Sequence, residues 1–222
     1  MPPVIIPPEF RARIAGRPAL PGRSPDGGAW LARLPHLIAE YLERWRLRVD
    51  GEPRSGENAL VVPVLRASGE QAAVKLTWPH PEAEWEHLAL RLWEGKGAVR
   101  MLAADPREQV LLLERLDADR PLTREFVIDA CEVVGSLMLA LDLAAPPQVE
   151  SLASRAGRLR DGAADPTPLV PRRLQDQAHS TVVDLLTDPP PARLVHEDLH
   201  DANVLAPIGP GRGEWLAIDP KP

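Results

Sequence analysis

The hydrophobic periodicity of this chain shifts from strands to helices near residue 116, and that change limits the folds open to it. Before it, short apolar runs alternate with turn residues. The stretches 45–50, Ala59–Arg66, Gln71–Thr77, Val99–Ala103 and Gln109–Glu114 read as strands. Pro63 predicts an edge position or a bulge for the second of them. A helix is inserted at about Glu82–Glu94, opened by Pro79 and Pro81, with Trp85, Leu88, Leu92 and Trp93 on its apolar stripe. Another helix, Gly28–Arg44, precedes the strands and carries Trp30, Leu31, Leu34, Leu37, Ile38 and Leu42 near helical spacing.

After residue 116 helical spacing dominates. Thr123 is placed to cap a helix bearing Phe126, Ala130, Val133, Leu137 and Leu141. A short helix is expected near 149–159 and a longer one over Pro171–Thr187, followed by a proline breaker at 189–191. Strand-sized runs return at Arg193–Val195, Val204–Ala206 and Trp215–Ile218. The segregation predicts an α+β chain of two lobes, 29–115 and 116–222, behind a loosely ordered lead-in, 1–28, rich in Pro, Gly and Arg.

Composition narrows the function classes. No apolar run approaches the roughly 18 residues of a membrane helix, so no membrane partner is expected. The first residues lack the basic and apolar regions of a secretory signal, and Cys131 stands alone, which together favour the cytoplasm. A formal net charge of −6 argues against nucleic acid and is compatible with a cationic small molecule. Lysines number three (Lys75, Lys96, Lys221) among 26 basic residues, the rest being arginine. Where arginine is the default cation, a lysine inside an apolar strand calls for a reason, because the two differ in shape and donor geometry.

The stretch Leu194–Leu205 contains His196-Glu197-Asp198-Leu199-His200-Asp201-Ala202-Asn203. It fits H-x-D-L-x-x-x-N, the pattern of a kinase catalytic loop. Sixteen residues after Asn203, at the end of an apolar run, stands Asp219, which a short hairpin would return to Asn203. Phosphoryl transfer needs such a set. Mg²⁺ prefers a few oxygen ligands, which Asn203 and Asp219 can supply, and the acceptor hydroxyl must be oriented and lose a proton, for which Asp198 is the candidate base. Upstream, Lys75 faces away from Val74 and Leu76, as expected of a strand lysine that holds nucleotide phosphates and pairs with a helix glutamate. Glu82, Glu84 and Glu86 are available, and Glu86 is preferred because it lies further into the helix. Arg54–Asn58, with Ser55 and Gly56, is placed to lie over the phosphates or to be a plain hairpin turn, and Leu111–Leu116 to be a hinge meeting adenine through Glu114 and Leu116. Two other readings stand beside this one. His196, Asp198, His200 and Asp201 are metal-ligand types that a metal-dependent hydrolase could use, and the same loop is also consistent with a polar turn without chemistry.

With those residues in place, the chain resembles the aminoglycoside phosphotransferases, in the branch of streptomycin 6-kinases and hydroxyurea phosphotransferases. The resemblance runs through Ala73–Leu76 with Trp78-Pro79-His80, Glu82–Trp93, Leu111–Leu116, Leu169–Leu174, Leu194–Leu205 and Trp215–Pro222, with Asp219-Pro220-Lys221-Pro222 the most specific run. It implies a protein-kinase-like two-lobed fold: an N-lobe antiparallel sheet with one helix, and a mostly helical C-lobe. It further implies ATP with Mg²⁺ and transfer to a hydroxyl of a cationic or polar, antibiotic-like small molecule. By position, Asp198 resembles the base, Asn203 and Asp219 the metal ligands and Lys75 the phosphate lysine. Glu197 stands where glycine is more usual, and like-charge repulsion on Asp198 is expected from it. Family members continue past Asp-Pro-Lys-Pro into helices, so the resemblance implies an incomplete C-lobe with an exposed apolar surface able to self-associate, and weakened stability and activity. A non-catalytic nucleotide-binding remnant is the corresponding alternative.

Overall fold

A computed structural model of the chain describes residues 4–20, 22, 24–151, 170–188 and 191–222. The helix expected near 149–159 and the breaker at 189–191 lie wholly or partly outside them. Contacts divide the chain into two units: Met1–Leu141 with His196–Lys221, and Asp142–Val195 with Pro222.

The first unit is built on an antiparallel sheet. Its strands are β1 (Arg48–Val49), β2 (Arg54–Ser55), β3 (Ala59–Leu65), β4 (Gln71–Thr77), β5 (Met101–Asp105) and β6 (Val110–Glu114). The order is β1-β3-β4-β6-β5, with β2 also paired to β3. Pro63 is not on an edge: β3 pairs with β4 on one side and with β1 and β2 on the other. It falls in the gap between the residues that β2 and β1 engage, where no ladder N–H is called for.

Period-two alternation gives the sheet two chemically different faces. Leu60, Val62 and Val64 of β3 and Ala72, Val74 and Leu76 of β4 enter the main core. That core is closed by α2 (Gly27–Arg44), whose Trp30, Leu34, Leu37, Ile38, Tyr41 and Leu42 are buried, and whose start is capped by the Asp26 carboxylate accepting from Ala29 N–H at 2.9 Å. The residues between, Ala59, Val61 and Pro63 with Ala73, Lys75 and Thr77, line a cavity instead.

Part of the lead-in, expected to be loosely ordered, is helical. Pro8–Ala15 form a helix, α1, with Phe10 and Ile14 fully buried in the same core. The Pro- and Arg-rich composition hides two apolar residues at helical spacing. Gly27 allows the crossing, since a Cβ there would stand 1.7 Å from the Ile14 carbonyl oxygen.

After β4 a single 3₁₀ turn, Pro81–Ala83, leads to α3 (Glu86–Trp93), which Glu94 ends in the left-handed conformation. Its buried face is Glu86, Ala89, Leu90 and Trp93; of the expected stripe Trp93 is buried, Trp85 and Leu88 are half-buried and Leu92 is exposed, because the helix turns a glutamate inward. The polar run Leu116–Pro121 forms an unexpected strand, β7, in a small sheet with β10 (Val204–Pro207) and β11 (Leu216–Ala217). Thr123 lies in a 3₁₀ turn and not at a cap; α4 spans Val127–Ala140 behind Phe126, with Ala130 and Leu137 buried. Phe126, Val127, Ile128, Met138 and Leu139 are exposed. In the second unit, β8 (Leu143–Ala144) pairs with β9 (Arg193–Leu194), and α5 (Arg172–Thr187) buries none of its residues. No helix among the described residues is long and apolar enough to cross a membrane.

Candidate active site

Two local structures within the first unit build the site. On β4, Lys75 projects from the cavity face, its side chain almost wholly buried. Its Nζ donates to Glu86 Oε1 at 2.5 Å and to Asp219 Oδ1. Of the three candidate glutamates, Glu86 is thus the one that meets Lys75. Burial alone would lower the lysine pKa, but the carboxylates of Asp219 and Glu86 reverse this and hold it above its ordinary value. Burial pushes the Glu86 carboxyl up to about 7 against the pull of Lys75. The Lys75 charge keeps Asp219 below the usual carboxylate range.

The second structure is the loop before β10 and the β10–β11 hairpin. Val204 pairs with Ala217, and Ile218 N–H donates to Asn203 C=O at 2.9 Å, which returns Asp219 to the loop as expected. Asp219 has φ 55°, uncommon for a non-glycine residue, immediately before a proline. Such strain is tolerated where surrounding contacts fix it, here the hairpin and Lys75. Asn203 Nδ2 donates to the Asp198 carbonyl at 2.9 Å and to its Oδ2 at 3.3 Å, which orients the amide oxygen away from Asp198. His196 supports the loop from beneath: it is buried, stacks on Trp93 at 6.4 Å, and Nε2–H donates to the Ile218 carbonyl at 2.9 Å.

Lys221, which the motif reading did not place in the site, lies on Asp198. Its Nζ donates to Asp198 Oδ2 at 2.6 Å and stands 3.5 Å from Glu82 Oε2. This bond holds the Asp198 carboxyl below its usual range. The repulsion expected from Glu197 is therefore not what sets Asp198. The rarity of lysine was a signal that applied to residue 221 as much as to 75.

These groups border a cavity of about 520 Å³. Its lining includes Ser55, Gly56, Lys75, Glu114, Leu116, Asn203, Asp219 and Lys221. Glu86 stands behind Lys75, and Asp198 reaches the group through Asn203 and Lys221. Gly56 N–H is spent on the Ala59 carbonyl at 2.9 Å, so this glycine closes a hairpin turn and its amide does not point to a ligand. Glu114 also departs from a pure hinge role. Its N–H donates to Arg100 C=O, while its carboxylate accepts from Arg100 N–H at 2.6 Å and from Arg212 at 2.6 and 3.0 Å.

The donor set fits Mg²⁺: an amide oxygen and a carboxylate oxygen, both hard ligands, with room for phosphates and water. It does not fit a zinc cage. Among the described residues no three His, Cys, Asp or Glu side chains gather to hold a metal, and His196 Nε2 is committed to backbone.

The comparisons with known proteins agree with this chemistry. The family described as aminoglycoside/hydroxyurea antibiotic resistance kinase matches residues 44–222. Streptomycin 6-kinase of Streptomyces glaucescens is 42% identical over 206 residues, covering 89% of this chain and 65% of the relative. Hydroxyurea phosphotransferase of Kitasatospora aureofaciens is 41% identical over 204 residues, covering 88% of this chain and 59% of the relative. The chain thus spans about three fifths to two thirds of the length of these relatives. A solved structure from Thermobifida fusca, assigned as a fructosamine-3-kinase, superposes with a TM-score of 0.51 at 21% identity, covering 82% of this chain and 72% of that one, which supports the kinase-like α+β fold. With the family matched over residues 44–222 and relatives above 40% identity, the chain belongs to the aminoglycoside/hydroxyurea antibiotic resistance kinases.

Proposed function

We propose that this chain handles the nucleotide in an ATP-dependent phosphotransferase that moves the γ-phosphoryl group to a hydroxyl of a cationic or polar small molecule of the aminoglycoside or hydroxyurea type. The observation that carries this reading is the meeting of Lys75, Asn203 and Asp219 at one cavity, with Glu86 bonded to Lys75 and Asp198 to Asn203. Lys75, held by Glu86, binds phosphate oxygens. Asn203 and Asp219 would hold Mg²⁺, which supplies positive charge against the phosphates. Asp198 orients the acceptor hydroxyl and takes its proton as the new P–O bond forms. The bond to the β-phosphate oxygen breaks, and ADP leaves. Ser55 and Gly56 border the phosphate end, and Glu114 and Leu116 the adenine end.

The test is ATP consumption by the purified chain with Mg²⁺ and either streptomycin or hydroxyurea. Consumption should depend on the acceptor and fall about 10²–10⁴-fold in Asp198→Asn, with nucleotide binding retained. Failure to bind Mg-ATP, or turnover indifferent to Asp198→Asn, would reject the reading.

A further inference from the structure

Two of the three lysines in this arginine-rich chain border the same cavity, and each binds a carboxylate of the site. Lys75 gives two of its three N–H donors to Glu86 and Asp219 and is almost wholly buried. Lys221 also stands between two carboxylates, Asp198 and, at 3.5 Å, Glu82, but it is less enclosed. Its side chain retains 29% exposure, at the cavity wall. Its backbone is tied to the loop that holds Asp198, since Glu197 N–H donates to the Lys221 carbonyl at 3.0 Å, so the ammonium has a fixed origin relative to that carboxylate.

The two hydrogen bonds from Lys221 and Asn203 both fall on Asp198 Oδ2, at 2.6 and 3.3 Å. Oδ1 has His200 Nε2 at 3.7 Å, beyond hydrogen-bond distance. The contacts therefore anchor one carboxylate oxygen and leave the other for a hydroxyl. An arginine would tend to occupy both oxygens with its planar fork, whereas a compact ammonium takes one and keeps two further N–H donors. A phosphoryl group that approaches this carboxylate meets like charge, and a cation placed beside it offsets that repulsion.

We infer that Lys221 is a second phosphate-binding lysine: its ammonium anchors Asp198 through Oδ2 and contacts the terminal phosphoryl group of the bound nucleotide, so that it distinguishes ATP from ADP. The inference rests on the phosphotransferase reading. It assigns Lys221 to the group transferred and leaves Lys75 to the phosphates that stay with the leaving nucleotide.

The experiment is calorimetric titration of the whole chain with Mg-ATP and with Mg-ADP, in wild type, Lys221→Ala and Lys221→Arg, each first checked for an unchanged melting temperature without nucleotide. Loss of one charge-assisted hydrogen bond should weaken Mg-ATP binding by about tenfold in Lys221→Ala, with Mg-ADP changed by less than about twofold, and Lys221→Arg should recover most of the preference for ATP. If the alanine variant does not fold, Lys221→Gln, which keeps a polar side chain without the charge, is read in the same way. Equal weakening of both nucleotides, or no change in either, overturns the assignment of Lys221 while the kinase reading survives. A wild-type chain that binds neither nucleotide removes both.

Discussion

Lys75 and Glu86 meet at 2.5 Å with 5% and 3% of their surface exposed, and the ammonium that offsets the buried glutamate also serves Asp219. One ammonium is thus set between two carboxylates. The surplus is negative, and Asp219 brings it to the cavity wall.

Removing the lysine should therefore cost more than removing either acid. Lys75→Met leaves the buried Glu86 carboxylate without a cation, beside an Asp219 whose side chain is 46% exposed, and uncompensated burial of one such charge is typically worth about 3–5 kcal/mol. Urea unfolding at pH 8 should show a loss of about that size, and Mg-ATP binding should disappear. The loss should shrink at pH 5, where Glu86 can take up a proton. A variant as stable as wild type at pH 8 would contradict the buried arrangement.

The Glu86 shift has a definite sign in stability. Its carboxyl is raised from 4.5 to about 7 in the folded chain, first by burial. Between those values the native state binds more protons than the unfolded one, so this group's contribution is fully present below about pH 4.5 and is lost as pH rises through about 7. Asp219 is shifted the opposite way and acts only at more acid pH. Chemical denaturation at pH 5 and pH 8 should show the stability of wild type relative to Glu86→Gln falling between the two. A difference that stays constant or grows would show that Glu86 is already ionised at pH 5.

How much of this was legible in the sequence depended on whether the signal was local. The alternation around Lys75 gave its face, because a strand's period is fixed by the backbone. The two apolar runs Val204–Ala206 and Trp215–Ile218 predict the hairpin that returns Asp219. The α3 face was misread, since a buried glutamate at position 86 is explained only by a lysine on another element. The polar run Leu116–Pro121 has no intrinsic strand pattern and becomes β7 only by pairing with β10, some 85 residues later in the chain. Glu114 read as hinge backbone because nothing near it in sequence announces Arg212.

That Arg212–Glu114 contact ties the β10–β11 turn to the end of β6. The guanidinium donates twice to the carboxylate and once, at 3.3 Å, to the Ala98 carbonyl, and both side chains are about four-fifths buried. Hydrogen bonds of this kind are each worth about 1.5–3 kcal/mol. Arg212→Ala should lower unfolding stability by about 2 kcal/mol, and a double-mutant cycle with Glu114→Gln should return a coupling energy of about 1 kcal/mol or more. Additive effects would place the two residues in separate interactions.

The N-terminal helix extends the same logic to the turn at residues 56–58. Arg13 Nη1 donates to the Gly56 carbonyl at 2.6 Å and Arg17 Nη2 to Glu57 at 2.7 Å, so α1 holds the turn that borders the cavity between β2 and β3. These ion pairs are exposed and contribute little to global stability. The docking of α1 is different, since it depends on Gly27 having no Cβ against the Ile14 carbonyl. Gly27→Ala must push the two helices apart and forfeit part of the burial of Phe10 and Ile14, at a cost of about 2–4 kcal/mol. Arg13→Ala should leave the melting temperature within a few degrees of wild type while weakening Mg-ATP binding by about two- to fivefold through the loosened turn. Gly27→Ala should lower the melting temperature as well as weaken Mg-ATP binding, and amide exchange should rise in residues 8–15 and 56–58 together. Exchange that rises in the helix alone, with nucleotide affinity unchanged in both variants, would show that the turn keeps its place without α1.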